Sequence, residues 1–443
     1  MFGTSGIRGP VGDVVTGELG LAVGRAVASG DVDRIVVGRD PRDSGRWLLD
    51  VVAAGARECG TDVIDAGMVA TPTLARSVGR EGADSGVVIT ASHNPPEDNG
   101  LKLWNPSGQA FDAAQATEIE KRIEEGEYAL GGWDEGGDRT TIEDATERHV
   151  DALVEAVGSI GDGDLSVVVD LGNGAGGVAV TALERLGCEV EVMNGEPDGS
   201  FPNRPSEPTA ENCRTLRERV AETDADLGIA HDGDADRMRA ATESGRYPDG
   251  DVLLALFARE AAGEGDRVAA PVDTSLAVED ALEPLGASVT YTPVGDVHVA
   301  ERAREPDVVF GGEPSGAWVW PAETLCPDGP LAACKLASMV AREGSLDALV
   351  DGVPTLPLRR ANVEVTEKET VMERVRDRVE REYDSERFTT LDGIRVSFDD
   401  GWFLIRASGT QPLVRVTAEA REDDRTEELL DIAEGFVADA TVE

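Results

Sequence analysis

Apolar residues recur along this chain in two alternating spacings. Short apolar runs at 34–40, 86–89, 165–170, 228–230 and 308–310 each end abruptly in Gly, Asp, Thr or His. Runs of this kind, bounded by turn formers, read as buried strands, whereas apolar positions three and four apart read as helices packed by one face. Leu19, Val23, Ala26 and Val27 mark one such face, and residues 111–127 read as a further helix. Strand and helix alternating in this way predict α/β sheets. Near the end, Thr366 to Glu369 has the form of a capping box opening a helix with Val371, Val375 and Val379 on one face, and Leu429, Ile432, Phe436 and Val437 mark a last helix.

Breaks in this rhythm divide the chain. Gly131 to Arg139 is rich in Gly and acids and reads as a linker, and Pro354 and Pro357 mark another. For 443 residues, at about 100–200 residues per domain, three or four domains are expected. The division read here is 1–144, 145–246, 247–353 and 354–443.

Several strand ends carry chemistry. The run 86–89 enters Thr90-Ala91-Ser92-His93-Asn94-Pro95, and Pro95-Pro96 forbids further strand, so Ser92 sits on a turn at a strand's C-terminal end. Such ends are where α/β sheets keep their sites. A serine there is a nucleophile, a phosphate ligand or a turn former. Lys102 follows ten residues on. The run 228–230 feeds Asp232-Gly233-Asp234-Ala235-Asp236-Arg237, alternate carboxylates able to converge on one hard divalent cation of the Mg²⁺ type. Phe2 to Gly9 is a glycine-rich loop with two hydroxyls and Arg8, suited to an anion. Gly311 to Gly316 presents Glu313 and Ser315, a grip for neighbouring sugar hydroxyls, and Arg406 leads into Ser408-Gly409-Thr410, a phosphate cradle. Gly172, Gly174 and Gly177 spell G-x-G-x-x-G with Glu191 beyond. That spelling keeps an NAD-dependent oxidoreductase as a remote alternative, although no doubly wound continuation surrounds it and a tight strand-to-helix turn explains it.

Composition changes the picture of the surroundings. There are 87 acidic against 41 basic residues, a net charge of −46, and only four of the basic residues are lysine. So acidic a surface points to a halophile's protein and disfavours nucleic acid and anionic membranes as partners. No apolar run approaches the roughly 20 residues of a membrane span, and the first motif begins at Phe2, so a cytoplasmic location is expected. The five cysteines form no C-x-x-C and read as reduced thiols.

Together the loops resemble those of the α-D-phosphohexomutase superfamily, which covers phosphoglucomutase, phosphomannomutase and phosphoglucosamine mutase. Its four motif loops stand in family order, with T-A-S-H-N-P and D-G-D-A-D-R the most specific pair. The resemblance implies three similar α/β domains and a C-terminal α+β domain of TATA-binding-protein-like type around a central cleft. It implies interconversion of hexose 1- and 6-phosphates through a phosphoserine at Ser92 and a bisphosphorylated sugar, with a hexose 1,6-bisphosphate as activator. By resemblance Ser92, Asp232, Asp234 and Asp236 hold one Mg²⁺, Arg8 and Lys102 flank the reacting phosphoryl group, and His93 is a further candidate catalytic residue. Arg237 meets the phosphoserine charge, Glu313 and Ser315 the sugar hydroxyls, and Arg406, Ser408, Gly409 and Thr410 the distal phosphate. Two departures stand out. Ala317 occupies a place where some relatives carry a histidine base, and Gln411 replaces the more usual Glu of the phosphate loop. Glu313-Pro314-Ser315-Gly316-Ala317-Trp318 with Cys326-Pro327-Asp328-Gly329 is most similar to archaeal phosphoglucosamine mutases, with phosphoglucomutase/phosphomannomutase as the alternative. The phosphosugar is the one partner implied; the sequence sets no oligomeric state.

Overall fold

The computed structural model describes residues 1–3, 6–161, 165–385, 387–408 and 413–442. Four sheets follow one another along the chain. The first runs in the spatial order Ile7–Pro10, Asp98–Trp104, Ser85–Ile89, Arg34–Arg39, Asp62–Met68 and Arg139–Thr141. The second is Met238–Thr242, Leu227–His231, Ser166–Asp170 and Glu189–Met193, and the third Ser288–Thr292, Arg267–Pro271, Val308–Gly312 and Trp318–Val319.

These three sheets repeat one device. Ser85–Ile89, Leu227–His231 and Val308–Gly312 each lie parallel to an inner neighbour, then turn and return as an antiparallel strand. The turn between carries the Ser92, Asp232 and Glu313 motifs in sheets one, two and three. The three chemically loaded loops are thus the same corner of the same fold. Valine and isoleucine fill the inner strands because both of their faces are covered by helices; Val87, Val88, Ile89, Val167, Val169 and Ile229 are all buried.

The fourth sheet is antiparallel throughout, in the order Leu358–Glu364, Leu413–Ala420, Gly401–Ala407, Ile394–Phe398 and Phe388–Thr389. Helices Lys368–Glu382 and Asp423–Val442 share one core with it through Val371, Val375, Val379, Leu429 and Val437. This is the expected α+β unit. A single cluster of buried side chains takes in Ala70 and then residues from Val150 to Val353, so the second and third sheets share a core.

Two local expectations change. The helix predicted to open with a capping box begins at Lys368, Glu367 takes the cap position without a side-chain bond, and Thr366 lies too early to cap it. A tertiary contact anchors that start, Lys368 Nζ donating to the Ser408 carbonyl at 2.7 Å. The segment read as a linker is tied to the first sheet: Gly131 and Gly137 donate to the carbonyls of Glu58 and Arg57, and Arg139–Thr141 becomes its edge strand. Glycine suits that close approach, since a Cβ on Gly137 would lie 2.0 Å from the Thr61 carbonyl oxygen.

Candidate active site

Ser92 is buried and held at φ 49°, the left-handed region that a residue with a Cβ rarely adopts. Such strain persists only where the surroundings over-determine it. Here a buried network does so. The Ser92 amide donates to Thr90 Oγ1 (2.8 Å), and Thr90 Oγ1 donates to Asp40 Oδ2 (2.8 Å). Asp40 pairs with Arg42 at 3.0 Å, both fully buried. Arg42 spends its remaining donors on the turn itself, on the carbonyls of Ser92 (3.0 Å), Asn94 (2.7 Å), Pro95 (2.5 Å) and Asp98 (2.8 Å). Burial pushes the Asp40 carboxyl up to about 6, against the pull of Arg42.

The metal-type loop is built the same way. Arg204 pairs with Asp170 (2.7 Å) and donates to the His231 carbonyl (2.6 Å), fixing the strand end from behind. Ala235 stands at φ 57°, the counterpart of Ser92. The two loops touch. Ser206 Oγ donates to the Ser92 carbonyl (2.8 Å) and accepts from the Gly233 amide (2.9 Å). Gly233 is required at this contact, because a Cβ there would lie 2.8 Å from Ser206 Oγ and 2.9 Å from the Ser92 carbonyl oxygen. Gly172 presses on Arg204 and Gly174 on the Asp232 and Gly233 carbonyls, so the first two glycines of the G-x-G-x-x-G spelling form a packed strand-to-helix turn.

Three carboxylates meet in the middle. One oxygen from each of Asp232, Asp234 and Asp236 lies within 4.8 Å of the others, and all three residues are buried. Burial and mutual repulsion raise Asp232 well above the usual range and Asp236 to about 6. Asp234 Oδ1 and Asp236 Oδ1 are buried with no hydrogen-bond partner among the described residues. Hard oxygens, crowded charge and unmet acceptors are what a divalent cation of the Mg²⁺ type requires.

Basic groups surround the triad. Lys102 is buried, bonded to Asp296 (2.8 Å), near Asp236 (3.6 Å) and over the Trp104 ring (4.8 Å). Burial opposes its charge, but Asp296 and Asp236 outweigh burial and raise it, so it stays protonated. Arg8, on the strand paired with Asp98–Trp104, keeps a buried Nε with no partner among the described residues. The Arg237 amide donates to Asp232 Oδ1 (3.1 Å). His93 Nδ1 is 3.2 Å from Ser92 Oγ, and burial, then Arg237 and Arg8, push its pKa down to about 3, so the imidazole is neutral.

The third loop joins at once: Met238 N donates to the Gly316 carbonyl (3.0 Å), and Arg237 bridges to Ala317. Glu313 accepts from the Gly295 amide (2.7 Å) and from Ser315 Oγ (3.3 Å); burial and then Asp296 raise it to about 7. Arg406, in the fourth unit, connects through Asp392 (3.1 Å), which accepts from the Val294 amide (3.2 Å), next to the Gly295 that holds Glu313. Arg406 stands opposite Arg415 in the ladder, and both line a cavity of ≈ 280 Å³ with Arg360 and Asp273. The Ser408 carbonyl accepts from Lys368; Gly409, Thr410 and Gln411 lie outside the described residues.

Sequence reasoning missed the residues that hold these loops: Arg42, Thr71, Arg204, Ser206, Asp296, Asp392 and Arg415. Most sit where only the fold shows what they face. Arg42 carried a signal, an arginine in a polar turn just past a strand.

Comparison with known proteins agrees with the geometry. The chain matches the descriptions "Phosphoglucomutase/phosphomannomutase, alpha/beta/alpha domain I" over residues 1–129, domain II over 147–245 and domain III over 249–356, and the C-terminal domain over 361–434. A probable phosphoglucosamine mutase of Methanopyrus kandleri is 46% identical over 438 residues, covering 97% of this chain and 96% of that one. That of Methanosarcina acetivorans is 44% identical over 444 residues, covering 99% of both. Among solved structures, a phosphoglucomutase/phosphomannomutase family protein from Burkholderia thailandensis superposes with a TM-score of 0.86 at 28% identity, covering 99% of this chain and 98% of its own. Full-length relatives at this identity, family models matching all four units, and three corners built alike around one acidic triad make the chain a member of the phosphoglucomutase/phosphomannomutase family of α-D-phosphohexomutases.

Proposed function

We propose that the protein is a phosphoglucosamine mutase, interconverting glucosamine 6-phosphate and glucosamine 1-phosphate through phospho-Ser92 and a glucosamine 1,6-bisphosphate intermediate. The observation that carries this is the 2.6 Å bond from Ser92 Oγ to Asp232 Oδ2, a nucleophile docked on an acidic triad. The choice of sugar is supported by the archaeal relatives' names.

Phosphoryl transfer asks for positioning and charge more than for covalent ingenuity. Asp232, Asp234 and Asp236, with an oxygen of the Ser92 phosphate, are the residues to hold one Mg²⁺, which neutralises charge on the phosphoryl group when bound. The chain's own groups do the rest. Phospho-Ser92 gives its phosphoryl group to the free hydroxyl of the sugar phosphate, breaking the Oγ–P bond as the new O–P bond forms, and the hydroxyl's proton ends on Ser92 Oγ. Lys102, Arg8 and Arg237 bring three positive charges to the transferring oxygens. Neutral His93 offers a hydrogen bond beside Oγ without adding charge. The bisphosphate then turns over, and Ser92 Oγ takes the other phosphoryl group as the sugar O–P bond breaks, the serine proton ending on the departing sugar oxygen. Glu313 and Ser315 hold the sugar hydroxyls in both orientations, while Arg406, Ser408, Gly409 and Thr410, with Arg415, hold the non-reacting phosphate. Nucleophile, metal, hydroxyl and phosphate duties fall to units 1–144, 145–246, 247–353 and 354–443 respectively. A hexose 1,6-bisphosphate activates by restoring phospho-Ser92. We place the enzyme in the cytoplasm of a salt-accumulating cell, on its charge; among the described residues no helix is long and apolar enough to cross a membrane.

The test is an assay in molar KCl with Mg²⁺ and a hexose 1,6-bisphosphate, comparing the 1-phosphates of glucosamine, glucose and mannose. Fastest conversion of glucosamine 1-phosphate supports the proposal. A preference for glucose or mannose makes the enzyme a phosphoglucomutase/phosphomannomutase, and no turnover of any of the three overturns the mutase reading.

A further inference from the structure

Besides Ser92 and Lys102, a further residue of the first unit reaches into the metal loop. Helix Thr71–Arg80 begins with Thr71, which is fully buried and bonds Asp234 twice. Its amide donates to the Asp234 carbonyl (2.9 Å), and its hydroxyl donates to Asp234 Oδ2 (2.6 Å), across 163 residues of sequence. The other carboxylate oxygen, Oδ1, is buried and has no partner among the described residues. We infer that Thr71 is a positioning residue for Asp234, fixing one carboxylate oxygen so that a single oxygen is presented to the cation. This rests on the reading of Asp232, Asp234 and Asp236 as a metal site.

The physical reason is the freedom of a carboxylate. An aspartate turning about its last bond offers a cation either oxygen, or both. A hydroxyl that claims one oxygen removes that choice and sets the angle of the other. One-oxygen ligation suits Mg²⁺, which demands a small, near-octahedral shell, whereas Ca²⁺ accepts carboxylates bidentately in larger, looser shells. Thr71 therefore acts on ion choice as well as on affinity.

The helix that carries Thr71 is itself immobilised. Within its first two turns, Thr73 Oγ1 bonds His149 Nδ1 (2.8 Å) and Arg76 pairs with Asp328 (2.9 Å). Asp328 also accepts from His149 Nε2 (3.1 Å) and caps helix Gly329–Glu343 through the Leu331 amide (3.0 Å). Elements of the first three units thus clamp one short helix and fix the backbone that carries the Thr71 hydroxyl. Pro72 follows Thr71 in the first turn, where its missing N–H costs no bond, so the helix start is set rigidly at Thr71.

The experiment is direct cation binding to the purified full-length chain, with no sugar present. Free Mn²⁺ is read by electron paramagnetic resonance, and Ca²⁺ is titrated as competitor. Thr71→Val keeps shape but loses the hydroxyl, and Thr71→Ser keeps the hydroxyl. Thr71→Val is expected to weaken Mn²⁺ binding by about 10–100-fold, and Ca²⁺ binding by less, so that discrimination between the ions falls. Thr71→Ser is expected to bind like the wild type. The rise in the unfolding midpoint on adding Mn²⁺ shrinks in Thr71→Val, whereas a merely structural role would lower the midpoint equally with and without the ion. Should Thr71→Val fail to fold, Thr71→Ala removes the same hydroxyl without filling its space. Wild-type Mn²⁺ affinity and unchanged Mn²⁺/Ca²⁺ preference in the hydroxyl-free variants overturns the inference. Absence of Mn²⁺ binding by the wild type overturns the metal site as well, a distinguishable result.

Discussion

Ser92 Oγ lies 2.6 Å from Asp232 Oδ2, a bond between residues 140 positions apart that belong to different sheets. The contact exists because two copies of the same strand-to-turn corner face each other, locked by Ser206 between them. Replacing Ser92 with Ala removes the phosphoryl carrier while leaving the corner's framework of Arg42, Asp40 and Thr90 in place. Mutase turnover should fall by on the order of 10⁴-fold or more, with far-ultraviolet circular dichroism unchanged. Residual activity within tenfold of wild type would place the carrier elsewhere.

Arg42 never reaches the substrate in this arrangement, yet it holds four carbonyls of the Ser92 turn. Lysine at this position keeps the charge opposite Asp40 but offers a point donor in place of a planar fork. The strained turn should relax, and misplacement of about 1 Å costs up to about 100-fold in rate. Arg42→Lys is expected to lower kcat by about 10–100-fold with KM nearly unchanged, as steady-state kinetics would show. A change in KM alone would mean that Arg42 acts on binding.

Much of this was legible in the sequence, and the reason is local. A buried strand must stop where Pro95 and Pro96 forbid extension, so the position of Ser92 follows from its neighbours. The same logic placed Asp232 and Glu313 at strand ends. The glycines at 172–177 read as a tight strand-to-helix turn, and the structure has Arg204 packed against Gly172 in that turn. The capping box at Thr366 failed because a distant contact from Lys368 decides where that helix is anchored. Thr71, Ser206 and Asp296 were invisible for a related reason. Each is ordinary in its own segment and becomes functional only against a residue from another sheet.

Arg415 was missed because nothing in its own strand marks it, but it stands directly opposite Arg406 and lines the same cavity. Two guanidinium groups on one ladder rung repel each other unless an anion sits between them. Arg415→Ala should therefore raise KM for the hexose phosphate by about 10-fold or more, the scale of one charge-assisted bond of about 1.5–3 kcal/mol. The rate of phosphorylation of Ser92 by saturating bisphosphate should change far less. Rapid-quench measurement of that half-reaction separates the two effects, and an equal loss in both would assign Arg415 to the chemical step.

His149 is fully buried between Thr73 and Asp328, and burial, against the pull of Asp328, lowers its pKa from 6.5. It is neutral in the fold, accepting from Thr73 through Nδ1 and donating to Asp328 through Nε2. The sign follows from linkage. As pH falls through 6.5, the unfolded chain takes up a proton that the folded chain refuses. Stability from this residue is therefore full above pH 6.5 and falls below it by about 1.4 kcal/mol per pH unit until the folded value is reached. His149→Gln keeps a donor and an acceptor but does not titrate. Between pH 7.5 and 5.5 the wild type should lose more thermal stability than His149→Gln; equal losses would place the acid sensitivity elsewhere.

The charge balance makes a prediction about the whole molecule. With 87 acidic and 41 basic residues, no arrangement of ion pairs can compensate the net −46. Two like charges 10 Å apart in water cost about 0.4 kcal/mol, and many such pairs act at once at low salt. Raising salt to about 1 M shortens the screening length to about 3 Å and removes most of this repulsion. The same salt weakens attractive surface pairs such as Arg219–Glu191 and Arg421–Asp280, but these contribute only about 0–1 kcal/mol each. Repulsion wins the comparison, because uncompensated acids outnumber all the bases. The unfolding midpoint should rise by about 10 °C or more between 0.1 and 2 M KCl, as scanning calorimetry would record, since several kcal/mol shift a midpoint by that much. Sucrose, which strengthens burial without screening charge, should raise it far less. A flat response to KCl would show that the acidic surface is not under electrostatic strain and would remove the ground for a salt-adapted origin.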